Sequence, residues 1–248
     1  MAVALTKITE RVHFAQTDLV NWTLVTGDDG VMLIDAGYPG QRDDVLGSVR
    51  QLGFGPDDIK AILLTHAHID HFGTAIWLAK THGTHVYCHA DEVGHARREY
   101  LEQASPAAVI RQAWRPSWLK WALAISRSGA FDHSGIASAQ AFTTDVAATL
   151  PGNPTAIPTP GHTGGHCSYL VDGVLVSGDA LVTGHPTSPR RGPQLLHPVF
   201  NHDEQACLRS LGALALQDTE VLLPGHGDVW RGPIRELADQ AAPSARST

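Results

Sequence analysis

The chain has 248 residues, 43% hydrophobic and 17% charged, which is long enough for one large domain with a sizeable core. Its 25 acidic against 18 basic residues leave a net charge of −7, which speaks against a nucleic-acid-binding surface but not against a small anionic substrate in a locally positive site. No apolar run reaches the roughly 18 residues of a membrane span, and MAVALTKITERV at the N-terminus lacks a signal peptide's apolar core, so a cytoplasmic protein free of membrane and nucleic-acid partners is expected.

In chain order, Val12 to Ala15, Trp22 to Thr26 and Val31 to Ile34 read as strands, the last two joined by the hairpin signal Gly27-Asp28-Asp29-Gly30. Asp35-Ala36-Gly37 closes the third strand, and Tyr38-Pro39-Gly40 continues as loop. Arg42 to Leu52 carries Val45, Leu46, Val49 and Leu52 on one helical face. Ile59 to Leu64 is a short apolar run of the kind buried on both faces of a sheet. It ends in Thr65-His66; Gly73 to Lys80 reads as helix and His85 to Cys88 as strand. Residues from about 91 to 130 are rich in Ala, Arg, Glu and Trp and read as a helical insertion or lid, broken at Pro106 and Pro116. Strand-like pieces follow at Ala141 to Thr144, Ala147 to Leu150, Ala156 to Pro158, Cys167 to Val171 and Val174 to Ser177. Asp203 to Ala215 is an amphipathic helix, Val221 to Leu223 a last strand and Ile234 to Ala241 a last helix. The expectation is a single α/β domain over residues 1–242, two sheets sandwiched between outer helices, with 243–248 a frayed tail.

Three cysteines, Cys88, Cys167 and Cys207, form no C-x-x-C pair, so neither a disulfide framework nor a structural zinc knot is expected. Histidine is abundant, at fifteen residues, and it is the commonest metal ligand. The strongest signal is His66-Ala67-His68-Ile69-Asp70-His71, directly after an apolar strand. Three imidazoles and a carboxylate in six residues fit a loop at a strand's C-terminal end and suit Zn²⁺, Fe²⁺ or Mn²⁺. Four potential ligands in two geometric groups suggest two ions. Further candidates stand at other strand ends, each beside glycine: His162 in Pro160-Gly161-His162, Asp179 in Ser177-Gly178-Asp179, and His226 in Pro224-Gly225-His226-Gly227.

Together with Asp35-Ala36-Gly37, this set resembles the metallo-β-lactamase-fold superfamily of metallohydrolases, near its glyoxalase II-like and lactonase-like members. The resemblance implies an αββα sandwich with a dinuclear centre at one edge. It implies that His66, His68 and His162 bind one divalent ion, Zn²⁺ before Mn²⁺ or Fe²⁺. Asp70, His71 and His226 would bind the second, Asp179 would bridge both, and Asp35 would orient a ligand histidine. No subfamily matches: lactonases of this fold carry a tyrosine where Val182 stands, and the chain stops too soon after His226 for the glutathione-binding domain of glyoxalase II.

Such a centre implies a metal-bridging hydroxide attacking a small ester, lactone or thioester, with Asp70 as a further proton acceptor. Tyr38 and His185 are the candidate proton donors to the leaving group. Trp114, Trp118 and Trp121 can wall an apolar substrate pocket; the favoured reading is that they pack the insertion onto the sandwich or meet in a homodimer. Arg190-Arg191 is an anion site or a solvated turn. His166, four residues past His162, is a candidate support behind the ligands, the favoured reading being an ordinary core or surface histidine; His95 is assigned no role. The competing readings are a phosphodiesterase or nuclease on the same centre, which would need a positive groove, and a mononuclear iron oxygenase resembling the persulfide dioxygenases.

Overall fold

The computed structural model describes residues 3–242; the tail expected at 243–248 lies outside the described residues. Seven strands form the first sheet in chain order: β1 (Ala4–Lys7), β2 (Val12–Gln16), β3 (Trp22–Thr26), β4 (Val31–Ile34), β5 (Ile59–Leu63), β6 (His85–Cys88) and β7 (Gln140–Ala141). The second sheet runs β12-β11-β10-β9-β8, from β8 (Thr155–Pro158), β9 (Cys167–Val171), β10 (Val174–Gly178), β11 (Val221–Pro224) and β12 (Trp230–Arg231). Helices α1 (Arg42–Gln51) and α2 (Ile69–His82) cover the first sheet. Helices α7 (Glu204–Ala215) and α8 (Ile234–Ala241) cover the second. Between β6 and β7 lie α3 (Val93–Ala96), α4 (Pro106–Ile110) and α5 (Pro116–Arg127), and α6 (Thr144–Ala147) follows β7.

Strand periodicity builds the layers. Along β4, Val31 and Leu33 pack outward against α1 and α2, while Met32 and Ile34 pack inward. Along β10, Val174 and Val176 point inward to meet them, and Leu175 points outward to Leu211 and Leu237. Three apolar layers result: helix on sheet, sheet on sheet, sheet on helix. This is the expected αββα sandwich.

Two pairings place the site. β4 and β5 are parallel, as are β10 and β11, so the C-terminal ends of each pair open on one edge. Asp35 N–H donates to the Leu63 carbonyl at 2.9 Å, and Gly225 N–H to the Gly178 carbonyl at 2.9 Å. Across the sandwich, Cys167 N–H donates to the Thr65 carbonyl at 2.8 Å.

The structure corrects several local expectations. The H-x-H-x-D-H block is not all loop: α2 begins at Ile69, so Asp70 and His71 occupy its first turn. An acidic residue there suits the helix N-terminus, and Gly83 ends the helix with φ +66°. Ala147 to Leu150 is not a strand. Thr143 caps the short helix α6 by accepting from the Val146 N–H, and that local bond outweighs β propensity. Only Gln140–Ala141 pairs as β7, so Ala141 to Thr144 is not a strand either. β1 and β12 carried no signal, being short and largely exposed at sheet edges.

Candidate metal centre

Five histidines and two aspartates from separate segments converge at the shared edge. Each histidine spends one ring nitrogen on an oxygen outside the centre. His66 Nδ1 lies 3.0 Å from Thr65 Oγ1, whose own hydroxyl donates to Asp35 Oδ2 at 2.8 Å. His71 Nδ1–H donates to Asp35 Oδ2 at 2.8 Å. His68 Nε2–H donates to the Glu102 carbonyl, His162 Nδ1–H to Asn201 Oδ1 at 3.1 Å, and His226 Nδ1–H to the Leu19 carbonyl at 2.6 Å. Carbonyl and carboxylate oxygens only accept, and the Thr65 hydroxyl has spent its proton on Asp35, so these bonds turn the outer proton of each ring outward and leave bare lone pairs on the inner nitrogens of the rings that stay neutral.

His66 Nε2 and His68 Nδ1 are then 3.1 Å apart, and His162 Nε2 and His68 Nδ1 are 2.9 Å apart. With the outer protons of all three rings committed, no proton is left to join these nitrogens. Burial also keeps the rings neutral: it drives His66 well below the ordinary histidine value, His68 down to about 3 and His162 to about 4, the neighbouring histidines adding to the effect. Lone pair facing lone pair at such distances is repulsive unless a cation stands between them. This donor set therefore suits a divalent ion.

The second group is electrostatically different. His71 Nε2 and Asp179 Oδ1 are buried without a hydrogen-bond partner and lie 3.5 Å apart. Asp70 Oδ2 is 3.8 Å from His71 Nε2 and 3.6 Å from His226 Nε2. Asp179 Oδ2 reaches His226 at 3.3 Å and His162 at 3.4 Å, so this carboxylate faces both groups. Burial opposes charge on His71 and His226, but Asp179 above all, with Asp35 and Asp70 beside His71 and Asp70 beside His226, raises both. Burial likewise opposes the Asp179 charge, and His226 and His71 outweigh it, holding the carboxyl well below its usual range. Ligand-type atoms of His66/His68/His162 and of Asp70/His71/His226 each lie within 4.8 Å of one another, as do those of His66/His71/Asp179.

Backbone geometry is fitted to this crowding. Asp35 holds φ +64°, a left-handed conformation that aspartate tolerates better than most residues. A Cβ at Gly225 would lie 2.3 Å from Asp179 Oδ1 and 2.8 Å from His71 Cε1, so only glycine fits before His226.

Several further residues support the ligands. His166 is buried and accepts the Asp179 N–H on Nε2 at 3.1 Å, while its Nδ1 meets Thr159 Oγ1 at 2.8 Å, so it is not an ordinary histidine. Thr65, Asn201, Glu92, His95 and Glu102 also hold the centre, and nothing in their local spacing marks them.

Above the centre opens a cavity of about 360 Å³. Its floor includes His68, Asp70, His162, Asp179 and His226, and its walls include Ile110, Trp121, Ile125, Phe131 and Phe200. Tyr38 and His185 both line it. Burial, then the charges of Asp70 and Asp179, raise the Tyr38 phenol well above its ordinary value. His185 is buried with its ring 4.7 Å from that of His226. The three tryptophans separate. Trp121 lines the cavity; Trp118 is buried behind it, stacked on Phe200 at 5.3 Å; Trp114 is 75% exposed and away from the site. Arg190 lines a neighbouring cavity of about 580 Å³ that shares His185 and Leu196 with this one.

A family model described as the metallo-beta-lactamase superfamily matches residues 15–226, and the chain belongs to that superfamily. Family and site together define a metal-dependent hydrolase class. The chain is 32% identical over 223 residues to the uncharacterized protein YobT of Bacillus subtilis strain 168, across 88% of this chain and 87% of that protein. It is 31% identical over 225 residues to the probable metallo-hydrolase YflN of the same organism, across 84% of this chain and 81% of that protein. The Rm3 metallo-beta-lactamase superposes with a TM-score of 0.69 at 18% identity, covering 98% of this chain and 93% of that one, a likeness of fold. No helix among the described residues is long and apolar enough to cross a membrane.

Proposed function

We propose that this chain is a dinuclear hydrolase that cleaves a small neutral ester, lactone or thioester carrying an apolar acyl group. The observation that carries this reading is the lining of the cavity over the centre, which is predominantly apolar and, among the described residues, contains no Lys or Arg. A phosphodiester or nucleic acid would call for cationic side chains there. Two disjoint triads, His66/His68/His162 and Asp70/His71/His226, support two ions rather than one, and nitrogen-rich donors favour Zn²⁺ over Mn²⁺ or Fe²⁺. A relative described as a probable metallo-hydrolase agrees with hydrolysis.

When bound, such ions supply an activated water at neutral pH and polarise the scissile carbonyl. The chain's own groups do the rest. Asp179 faces both triads and would be shared between the ions they hold. Asp70 is 17% exposed where Asp179 is 3%, so it borders both the centre and the cavity and would be placed to accept a proton from a water held there. The Thr187 N–H donates to His185 Nδ1 at 3.2 Å, which places the neutral ring's proton on Nε2. Burial, then His226, hold that ring well below the ordinary histidine value. His185 is thus a fixed donor for the substrate oxygen or the leaving group. Trp121 and Ile125 cover the acyl chain and exclude water.

The test is acid release by zinc-loaded protein against lactones, esters and thioesters of graded acyl length, beside bis(p-nitrophenyl) phosphate. The expected result is metal-dependent acyl hydrolysis with an optimum chain length and a weak phosphodiester rate. Preference for the phosphodiester overturns the substrate class. Silence on every acyl substrate, with one iron per chain and oxygen uptake, replaces it by the oxygenase.

A further inference from the structure

We propose that Glu92 is a positioning residue whose carboxylate ties the loop of His66 and His68 to the loop of His162 and so sets the metal affinity of that triad. The inference rests on reading the triad as a metal site and does not depend on the substrate.

Glu92 lies at the start of the insertion and is fully buried. Its two oxygens take four donors from three other stretches of chain. Oε1 accepts from the Ala67 N–H at 2.8 Å and from His95 Nδ1–H at 2.8 Å. Oε2 accepts from the Thr163 hydroxyl at 2.8 Å and from the Gly165 N–H at 3.1 Å. Ala67 stands between His66 and His68, and Thr163 follows His162. One carboxylate thus fills its lone-pair sites by joining the two loops that supply all three histidines. The fit leaves no slack: a Cβ at Gly165 would lie 2.4 Å from the Glu92 backbone nitrogen.

A second arm reaches His68 itself. His95 accepts the Glu102 N–H on Nε2 at 3.3 Å, and the Glu102 carbonyl accepts His68 Nε2–H. The Glu102 carboxylate returns to the other loop, taking the Gly164 N–H at 2.6 Å. A continuous path therefore runs Glu92, His95, Glu102, His68, and it fixes which nitrogen His68 turns inward. Glu92 belongs to none of the ligand groups. Groups that orient ligands typically change metal affinity about 10- to 100-fold when removed.

Glu92→Gln tests this, because an amide keeps the volume but turns one acceptor into a donor facing two donors. Zinc affinity is measured by chelator competition, and zinc per chain by elemental analysis. Ser48→Ala serves as a control for stability loss alone; that buried hydroxyl accepts from Trp22 Nε1 within the first sheet's helical cover. The expected result is a 10- to 100-fold weaker binding of one zinc equivalent in Glu92→Gln, with acid release recovered by excess zinc, and wild-type zinc affinity in Ser48→Ala. Wild-type affinity in Glu92→Gln overturns the proposal, whatever happens to its Tm. Should that variant not fold, Thr163→Val removes a single donor; a smaller loss of the same kind supports the proposal and an unchanged affinity overturns it. If the wild-type chain binds no zinc, the proposal falls together with the metal centre. If it binds two but hydrolyses no acyl substrate, only the substrate reading falls.

Discussion

A histidine ligates well when its outer nitrogen is already held. Asp35 does most in this respect, because one oxygen takes His71 Nδ1–H directly and His66 through the Thr65 hydroxyl. Asp35→Asn is informative because asparagine also tolerates the left-handed backbone found there. The expected outcome is a folded protein with metal affinity about 10- to 100-fold lower, read by chelator competition; unchanged affinity would deny Asp35 its orienting role. His185→Phe is expected to lower kcat about 100-fold, the usual cost of a lost donor to a developing oxyanion, with zinc content intact. Partial recovery in His185→Gln, which keeps an N–H, would separate donation from packing. At this scale the sequence was legible where chemistry is concentrated: Asp35, His66, His162, Asp179 and His226 stand beside glycine or just after a strand, His68, Asp70 and His71 sit in the block leading from β5 into α2, and the fold brings all of them together. Glu92 and His95 were illegible and His166 only half legible, because a carboxylate or imidazole gains meaning here only from donors far away in sequence.

Strands with continuous apolar runs and helices with a clear face were read close to their limits, because burial on a layered sandwich dictates both. The failures are local. Thr143 turned an expected strand into a helical turn, and α2 started inside the histidine block because three dimensions, not periodicity, decide where its first N–H groups point. The insertion shows the same limit: three tryptophans at near-helical spacing have three different environments. Trp121→Ala should shift the preferred acyl length upward by opening the cavity wall, measured as kcat/KM across a homologous ester series. Trp114→Ala, at an exposed position, should change stability by less than about 0.5 kcal/mol and leave that series unchanged. The reverse pattern would mean that substrates approach along the outer face of α4 and α5.

As a whole molecule, the protein buries an unusual number of neutral imidazoles. His68 titrates at about 3 and His162 and His166 at about 4 in the folded chain, burial being the main cause, against 6.5 for an ordinary histidine. The unfolded chain therefore binds more protons between those values, and the stability of the metal-free protein rises with pH across that window. His71 and His226, raised above 6.5, keep their stabilising effect throughout it and lose it only at higher pH. The Tm of metal-free protein should accordingly fall as pH drops from about 6.5 towards about 4. A Tm that is flat or rising on acidification would mean these rings are solvated in solution. Bound metal should raise Tm at neutral pH through binding to the folded state alone.

Titrating metal-free protein with zinc while following acid release from a preferred ester or lactone decides whether two ions serve acyl hydrolysis through a shared Asp179. Activity is expected to climb to a break at two equivalents per chain, and Asp179→Ala to stay inactive at every zinc level while keeping its circular dichroism. Full activity at one equivalent, or an active Asp179→Ala, would contradict that mechanism.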